Sequence, residues 1–187
     1  MSTRDLVLAA LFAAIVVALG LLPPIMLGFI PVPITAQSMG VMLAGVILGA
    51  RRGTVAVLLV LLLAAIGLPV LSGGRGGLAV FAAPTTGYLI GWVFAAFVTG
   101  ALAERLVRPA QGALAQSLGF FAAAVAGGVV VLYAFGITYL AVVTGIDFGK
   151  AFLGSMAFIP GDLIKAAVAA LAARAVMAGC PLLPALA

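Results

Sequence analysis

Apolar residues dominate this chain in long runs, and charged residues are almost confined to the short stretches between them. A helix needs about 20 predominantly apolar residues to cross a bilayer, so runs of this length predict membrane-spanning helices. A transmembrane β-barrel would show apolar and polar residues in alternation, and these runs do not alternate. The pattern therefore predicts an all-α, polytopic membrane protein. Charge is absent from four runs, which are 6–50, 53–74, 76–103 and 109–146.

Proline, glycine and arginine divide these runs into six segments. The stretch from Pro23 to Pro33 holds four prolines. Because proline blocks helix continuation, we expect an irregular cap at the outer surface there. We expect all 187 residues to form a single six-helix transmembrane domain. The predicted segments span about 6–22, 34–48, 53–68, 82–103, 113–143 and 151–176.

The positions of the cations predict the orientation of the helices. Cytoplasmic flanks of transmembrane helices are enriched in Lys and Arg. If the N-terminus lies in the cytoplasm, only Arg75 and Lys150 fall on the outer side, and Lys165 lies within a span. We therefore expect both the N- and the C-terminus to be cytoplasmic. The cations on that side are then Arg4, Arg51, Arg52, Arg105, Arg108 and Arg174.

Composition excludes several function classes. The chain is 66% hydrophobic and 7% charged, whereas a soluble domain averages about 25% charged residues. The net charge of +5 comes from cations scattered at segment ends, not from a nucleic-acid-binding stripe. With one cysteine and no histidine, the usual zinc and His-based catalytic sites are excluded. Since no GxxxxGK[ST] phosphate loop occurs either, the sequence predicts no cofactor, no metal and no enzyme.

Asp162 and Lys165 are the most informative residues, because they lie within an apolar span. Residues three apart share one face of a helix. Ionisable groups in hydrocarbon are costly and therefore indicate function. Asp162 would accept from N–H groups of a ligand, and Lys165 would donate to a carbonyl or a carboxylate. The alternative is structural: Asp162 caps a helix that restarts after Pro160-Gly161, with Lys165 as its counter-ion.

Two further features each allow a functional and a structural interpretation. Gly74 and Arg75 lie in a glycine-rich turn that either approaches a ligand or merely connects helices. Tyr88 and Trp92 lie four apart, so they share a helix face that forms either a ligand wall or an interfacial aromatic belt.

Small residues form a stripe along the first segment. Ala10, Ala14 and Ala18 recur at four-residue spacing, where another helix can approach closely. The partner helix belongs either to this chain or to another protein.

Five motifs, in order over nearly the whole chain, resemble the biotin-specific substrate-binding components of energy-coupling-factor (ECF) transporters, the BioY family. Each is weak alone, but together at these spacings they are specific. They are Phe29-Ile30-Pro31-Val32-Pro33-Ile34 with Gln37, Met42-Leu43-Ala44-Gly45, Gly67-Leu68-Pro69-Val70 with Ser72-Gly73-Gly74, Pro84-Thr85 with Gly87-Tyr88, and Phe158-Ile159-Pro160-Gly161-Asp162 with Lys165.

The resemblance implies high-affinity capture of biotin from the outer side of a bacterial or archaeal cytoplasmic membrane. It implies as partners a transmembrane coupling protein and two cytoplasmic ATPases. Asp162 and Lys165 would hold the polar ring of biotin, and Arg75 would meet the ureido oxygen or the valerate carboxylate. The Ala10, Ala14 and Ala18 stripe would dock the coupling protein. Tyr88, Trp92, Phe29 and Gln37 would line the site.

Three other functions remain open from the residues. A binding component for another vitamin would prefer thiamine or riboflavin in competition with biotin. A stand-alone carrier would transport biotin without any ATPase, and a structural scaffold would bind no small ligand.

Overall fold

The computed structural model describes residues 1–180 and 182–183, and within them the fold is almost entirely helical. Two isolated antiparallel bridges, Ile25 with Ile34 and Leu71 with Arg75, are the β pairing in that part of the chain. The all-α prediction is therefore confirmed. The helices are α1 Thr3–Gly20, α2 Gln37–Ala65, a short 3₁₀ helix Leu78–Phe81, α3 Thr86–Leu106, α4 Ala113–Val125, a π-helical turn Ala126–Val131, α5 Leu132–Thr144, α6 Phe148–Met156 and α7 Ile159–Gly179.

Helix α2 consists of two arms that fold back on each other at Gly49. Gly49 has φ 82° and ψ −179°, a conformation that interrupts the helix and that only glycine adopts readily. A Cβ atom at Gly53 would lie 2.6 Å from the Ala44 carbonyl oxygen. In a straight helix those two residues would be about 13 Å apart along the axis. The predicted second and third segments are therefore the two antiparallel arms of α2.

Four helical stretches of the described chain are long and apolar enough to cross a membrane. A fifth is added if α6 and α7, which are bent by 52° relative to each other, form one broken span. The predicted sixth segment is thus two helices rather than one. The number of bilayer crossings and the side on which the termini lie stay predictions. The four stretches are Thr3–Gly20, Gln37–Ala65, Thr86–Leu106 and Ala113–Thr144.

The bundle has two chemically different ends. At one end, Arg52 Nε lies 3.5 Å from Asp5 Oδ1, and the Ala50 amide donates to the Glu104 carboxylate at 2.9 Å. These contacts gather the start of α1, the Gly49 reversal and the end of α3. These helix ends carry most of the cations that the sequence analysis assigned to the cytoplasmic side. Residues 35–38, 71–75 and 85–92, with the start of α7, lie at the opposite end.

Small residues allow the helices to approach closely. A Cβ atom at Gly45 would lie 2.7 Å from Thr99 Cβ, so Gly45 is where α2 meets α3. A Cβ atom at Gly127 would overlap Thr99, and one at Gly128 would overlap the Met42 side chain. The π-helical turn is therefore fixed against both neighbours, as expected for helices that associate by packing small residues.

Candidate ligand-binding site

A cavity opens among the helix ends that lie away from the Gly49 reversal. Its empty volume is about 610 Å³, including space open to solvent at its mouth. The volume accessible to the centre of a water molecule is about 70 Å³. Small-molecule sites are usually mostly apolar with a few polar groups, and the lining residues of this cavity follow that pattern. Its aromatic lining residues are Tyr88, Trp92, Tyr133 and Phe158, and its polar ones are Thr35, Gln37, Ser38, Arg75, Thr85, Asp162 and Lys165. The remaining lining residues are aliphatic or proline.

Asp162 and Lys165 form a largely buried ion pair on the first turns of α7. Lys165 Nζ lies 2.8 Å from Asp162 Oδ1. The Lys165 side chain is 16% exposed and the Asp162 side chain is 7% exposed. Tyr133 donates its hydroxyl hydrogen to the other carboxylate oxygen, Oδ2, at 2.6 Å. Both oxygens of Asp162 thus hold one donor each, and each keeps a further lone pair for a ligand.

Lys165 also ties α7 to the proline-rich segment. Its Nζ donates to the Thr35 carbonyl at 2.8 Å and to Ser38 Oγ at 3.0 Å. With Asp162 these partners occupy all three ammonium donors. The charge is therefore compensated and hydrogen-bonded, as a buried charge must be.

The helix-capping interpretation of Asp162 is wrong. Helix α7 begins at Ile159, before Pro160, and no side chain caps it. The Asp162 carboxylate instead accepts from Tyr133 on α5 and from Lys165 one turn further along α7. The counter-ion role of Lys165 is confirmed by the same geometry.

Arg75 reaches the cavity from a tight glycine turn. Gly73 and Gly74 have φ values of 77° and 69°, which let the chain reverse between Leu71 and Arg75. The Arg75 guanidinium donates from Nε to the Ser72 carbonyl at 3.1 Å and from Nη1 to Thr85 Oγ1 at 3.3 Å. A guanidinium has five donors, so most of its hydrogen-bonding capacity is left for a ligand.

Tyr88, one of the aromatic residues that line the cavity, needs a glycine opposite its ring. Tyr88 lies over Gly136, where a Cβ atom would overlap the ring. The Tyr88 and Tyr133 rings meet edge to face, with centroids 6.4 Å apart. The Tyr88 hydroxyl and Ser155 Oγ are 3.2 Å apart, which links α3 to α6. Trp92, one turn beyond Tyr88, is 6% exposed, so both residues line the cavity rather than an exposed belt.

Gln37 lines the cavity, but its amide already has partners. Its Nε2 donates to the Val16 and Val70 carbonyls at 3.2 and 2.9 Å, and its Oε1 accepts from the Ser72 amide at 2.7 Å. Gln37 therefore joins α1, α2 and the glycine turn that carries Arg75.

The structure does not bring Phe29 or Gly74 to the cavity. Phe29 is 60% exposed on the proline-rich segment, and Gly74 lies in an exposed turn. Neither is among the lining residues. Gly74 acts on the site only through the backbone, because its positive φ helps to turn Arg75 inward.

The alanines of α1 lie on two different faces, and the stripe of Ala10, Ala14 and Ala18 occupies only one of them. Ala9 and Ala13 are buried against the bundle, whereas Ala10, Ala14 and Ala18 are exposed. The rest of the bundle therefore packs on a different face of α1 from the predicted docking stripe.

Sequence reasoning missed Tyr133, Ser38, Thr35 and Thr85 as site residues. The available signal for Tyr133 was weak: it is a hydroxyl-bearing residue in the middle of the charge-free run 109–146. Its partner Asp162 is 29 residues away, which no local pattern reveals.

Comparison with known proteins identifies the family. The family model described as "BioY family" matches residues 1–181. The chain belongs to the BioY family. Family membership and the apolar helices together make it a multi-pass membrane protein.

Similar proteins match over nearly their whole length. A protein of Rhizobium etli named Biotin transporter BioY is 76% identical over 185 residues, 99% of each chain. One of the same name from Rhodobacter capsulatus is 52% identical over 182 residues, 92% of this chain and 93% of its own.

A solved structure has the same fold. It is described as the S-component for biotin from an ECF-type ABC transporter. It matches with a TM-score of 0.90 at 35% identity, covering 97% of each chain. The predicted family and its ECF S-component fold are therefore confirmed.

Proposed function

We propose that this protein captures biotin as the substrate-binding component of an ECF transporter, for uptake across the cytoplasmic membrane. The observation that carries the proposal is the buried Asp162–Lys165 pair in a cavity of a BioY-family chain. The named relatives and the solved biotin S-component support the same ligand.

Biotin offers groups that complement the hydrogen-bonding capacity of the cavity. Its ureido ring has two N–H donors and one carbonyl, and Asp162 keeps free lone pairs for such donors. A ureido oxygen that replaced Ser38 Oγ as a partner of Lys165 Nζ would keep all three ammonium donors satisfied. The thioether ring and the alkyl tail of biotin pack on Tyr88 and Trp92.

Arg75 recognises the carboxylate of biotin in this proposal. The cavity lining carries two cations, Arg75 and Lys165, and one acid, Asp162. Lys165 is already paired with Asp162, so the remaining charge of the cavity favours an anionic ligand. A guanidinium also matches a carboxylate with two parallel hydrogen bonds. These arguments favour the carboxylate over the ureido oxygen as the partner of Arg75.

Transport requires other proteins. We expect ATP hydrolysis on the two cytoplasmic ATPases that the family resemblance implies, joined through a transmembrane coupling protein. The absence of a phosphate-binding loop from the sequence fits that division of labour. The exposed Ala10, Ala14 and Ala18 face of α1 is proposed as the docking surface for that coupling protein. Its smooth, small side chains allow close helix approach.

The decisive experiment is isothermal calorimetry of the purified chain with biotin, with thiamine and riboflavin as competitors. We expect one biotin per chain, and displacement by neither competitor. A folded sample that releases no heat with biotin, or that prefers another vitamin, would contradict the proposal.

A further inference from the structure

Tyr133 occupies an unusual position in the fold. It is the second residue of α5, directly after the π-helical turn Ala126–Val131. A π-helical turn widens the helix locally and so rotates the residues after it relative to a regular helix, by up to about 100° for one inserted residue. Such turns are frequent at functional sites. Here the turn is fixed by Gly127 against Thr99 and by Gly128 against Met42.

The consequence of this geometry is a hydrogen bond into the binding site. Tyr133 is 6% exposed, and its hydroxyl lies 2.6 Å from Asp162 Oδ2. An ionised carboxylate is acceptor-only, so Tyr133 must be the donor in this bond. Lys165 holds the opposite oxygen, Oδ1, at 2.8 Å. With one donor on each oxygen, the carboxylate cannot rotate freely about its Cβ–Cγ bond, so the orientation of its plane is fixed.

The Tyr133 ring is itself held in place. Tyr88 meets it edge to face at 6.4 Å, and Ser155 bonds the Tyr88 hydroxyl at 3.2 Å. The side chain is therefore preorganised, and the hydroxyl does not need a ligand to find its position. Preorganised groups favour binding because less freedom is lost when the ligand arrives.

We propose that Tyr133 is a positioning residue that aims the free lone pairs of Asp162 at the cavity. The site thereby selects a ligand with N–H donors at this point and rejects one in which an N–H is replaced. A buried acceptor left unpaired is costly, so this arrangement creates discrimination as well as affinity. The inference rests on the proposed biotin function and assigns the selectivity of that site to a residue outside the Asp162–Lys165 pair.

The test compares two ligands, biotin and biotin methylated on a ureido nitrogen, in wild type and Tyr133→Phe. A hydrogen bond to a charged group contributes about 1.5–3 kcal/mol, so the variant should bind biotin about tenfold or more weakly. The methylated ligand should lose less than about threefold, because it gains little from an aimed carboxylate. A merely structural role for Tyr133 would weaken both ligands equally.

Tyr139→Phe is the matched control. It removes the same hydroxyl from the same helix, at a residue that packs on Gly87 and does not line the cavity. We expect it to leave both affinities unchanged. The thermal unfolding midpoint of each variant, measured in the same detergent, shows whether the protein is folded.

A double variant tests whether Tyr133 acts through Asp162. In an Asp162→Asn background, Tyr133→Phe should have almost no further effect on biotin affinity, since the residue acts through the carboxylate. Additive losses, equal weakening of both ligands, or wild-type biotin binding by Tyr133→Phe would each overturn the inference. If wild-type protein itself ignores biotin, the proposed function fails instead.

Discussion

Two ion pairs at opposite ends of the described bundle show how similar chemistry performs different tasks. Asp5 and Arg52 are 3.5 Å apart with side chains 26% and 18% exposed, and they tether the start of α1 to the Gly49 reversal. Asp162 and Lys165 are 2.8 Å apart and more deeply buried, in a cavity. Exposed pairs contribute about 0–1 kcal/mol to stability. Buried pairs are costly to desolvate, so retaining one inside apolar helices indicates a function.

The largest effect is expected from breaking the buried pair. Asp162→Asn or Lys165→Ala should weaken biotin binding about tenfold or more, because each removes a charged hydrogen-bonding partner. Calorimetry measures the change. The controls are Asp147→Asn, which keeps an exposed helix cap at α6, and Lys150→Ala, which removes an exposed cation. Unchanged affinity in both site variants would remove the pair from the binding site.

A smaller, ligand-dependent effect is expected at Arg75. Arg75→Gln should weaken biotin about tenfold, whereas biotin methyl ester should bind both forms within about threefold, because the ester lacks the charge that Arg75 would pair with. Lys150→Gln controls for a general loss of positive charge on the same side. If ester and acid are weakened equally, Arg75 contacts the ureido oxygen instead.

The smallest effect is expected from the half-buried Asp5–Arg52 pair. Arg52→Gln should lower the free energy of unfolding by about 1 kcal/mol or less and leave the dissociation constant for biotin unchanged. Thermal unfolding and calorimetry on one preparation measure both quantities. If Arg52→Gln lowered the affinity for biotin, the two ends of the bundle would be coupled, and the Asp5–Arg52 pair would not be purely structural.

Hydrophobic patterning predicted the helical segments because crossing a bilayer demands long apolar runs, whatever the tertiary contacts. Asp162 and Lys165 were predictable for the related reason that charge in such runs is rare. Position in a family motif predicted the residues lining the site less reliably. Phe29 was predicted to line the site from its motif, yet it is exposed on the proline-rich segment.

The remaining features depend on contacts distant in sequence. The Tyr133–Asp162 bond requires the π-helical turn to set the direction of α5, and hydrophobicity alone does not encode that turn. The bend between α6 and α7 falls within one apolar segment, where proline lies inside the first turn of α7 instead of ending a helix.

The reversal at Gly49 also constrains how the protein is made. A single residue turns the chain between the arms of α2, so there is no polar loop that could stay outside while one arm enters the bilayer alone. The first arm, residues 37–48, is about 18 Å long as a helix, shorter than the roughly 30 Å hydrocarbon core. We therefore expect the two arms to enter the membrane together as one helical hairpin, and an insertion at this turn to disrupt their packing.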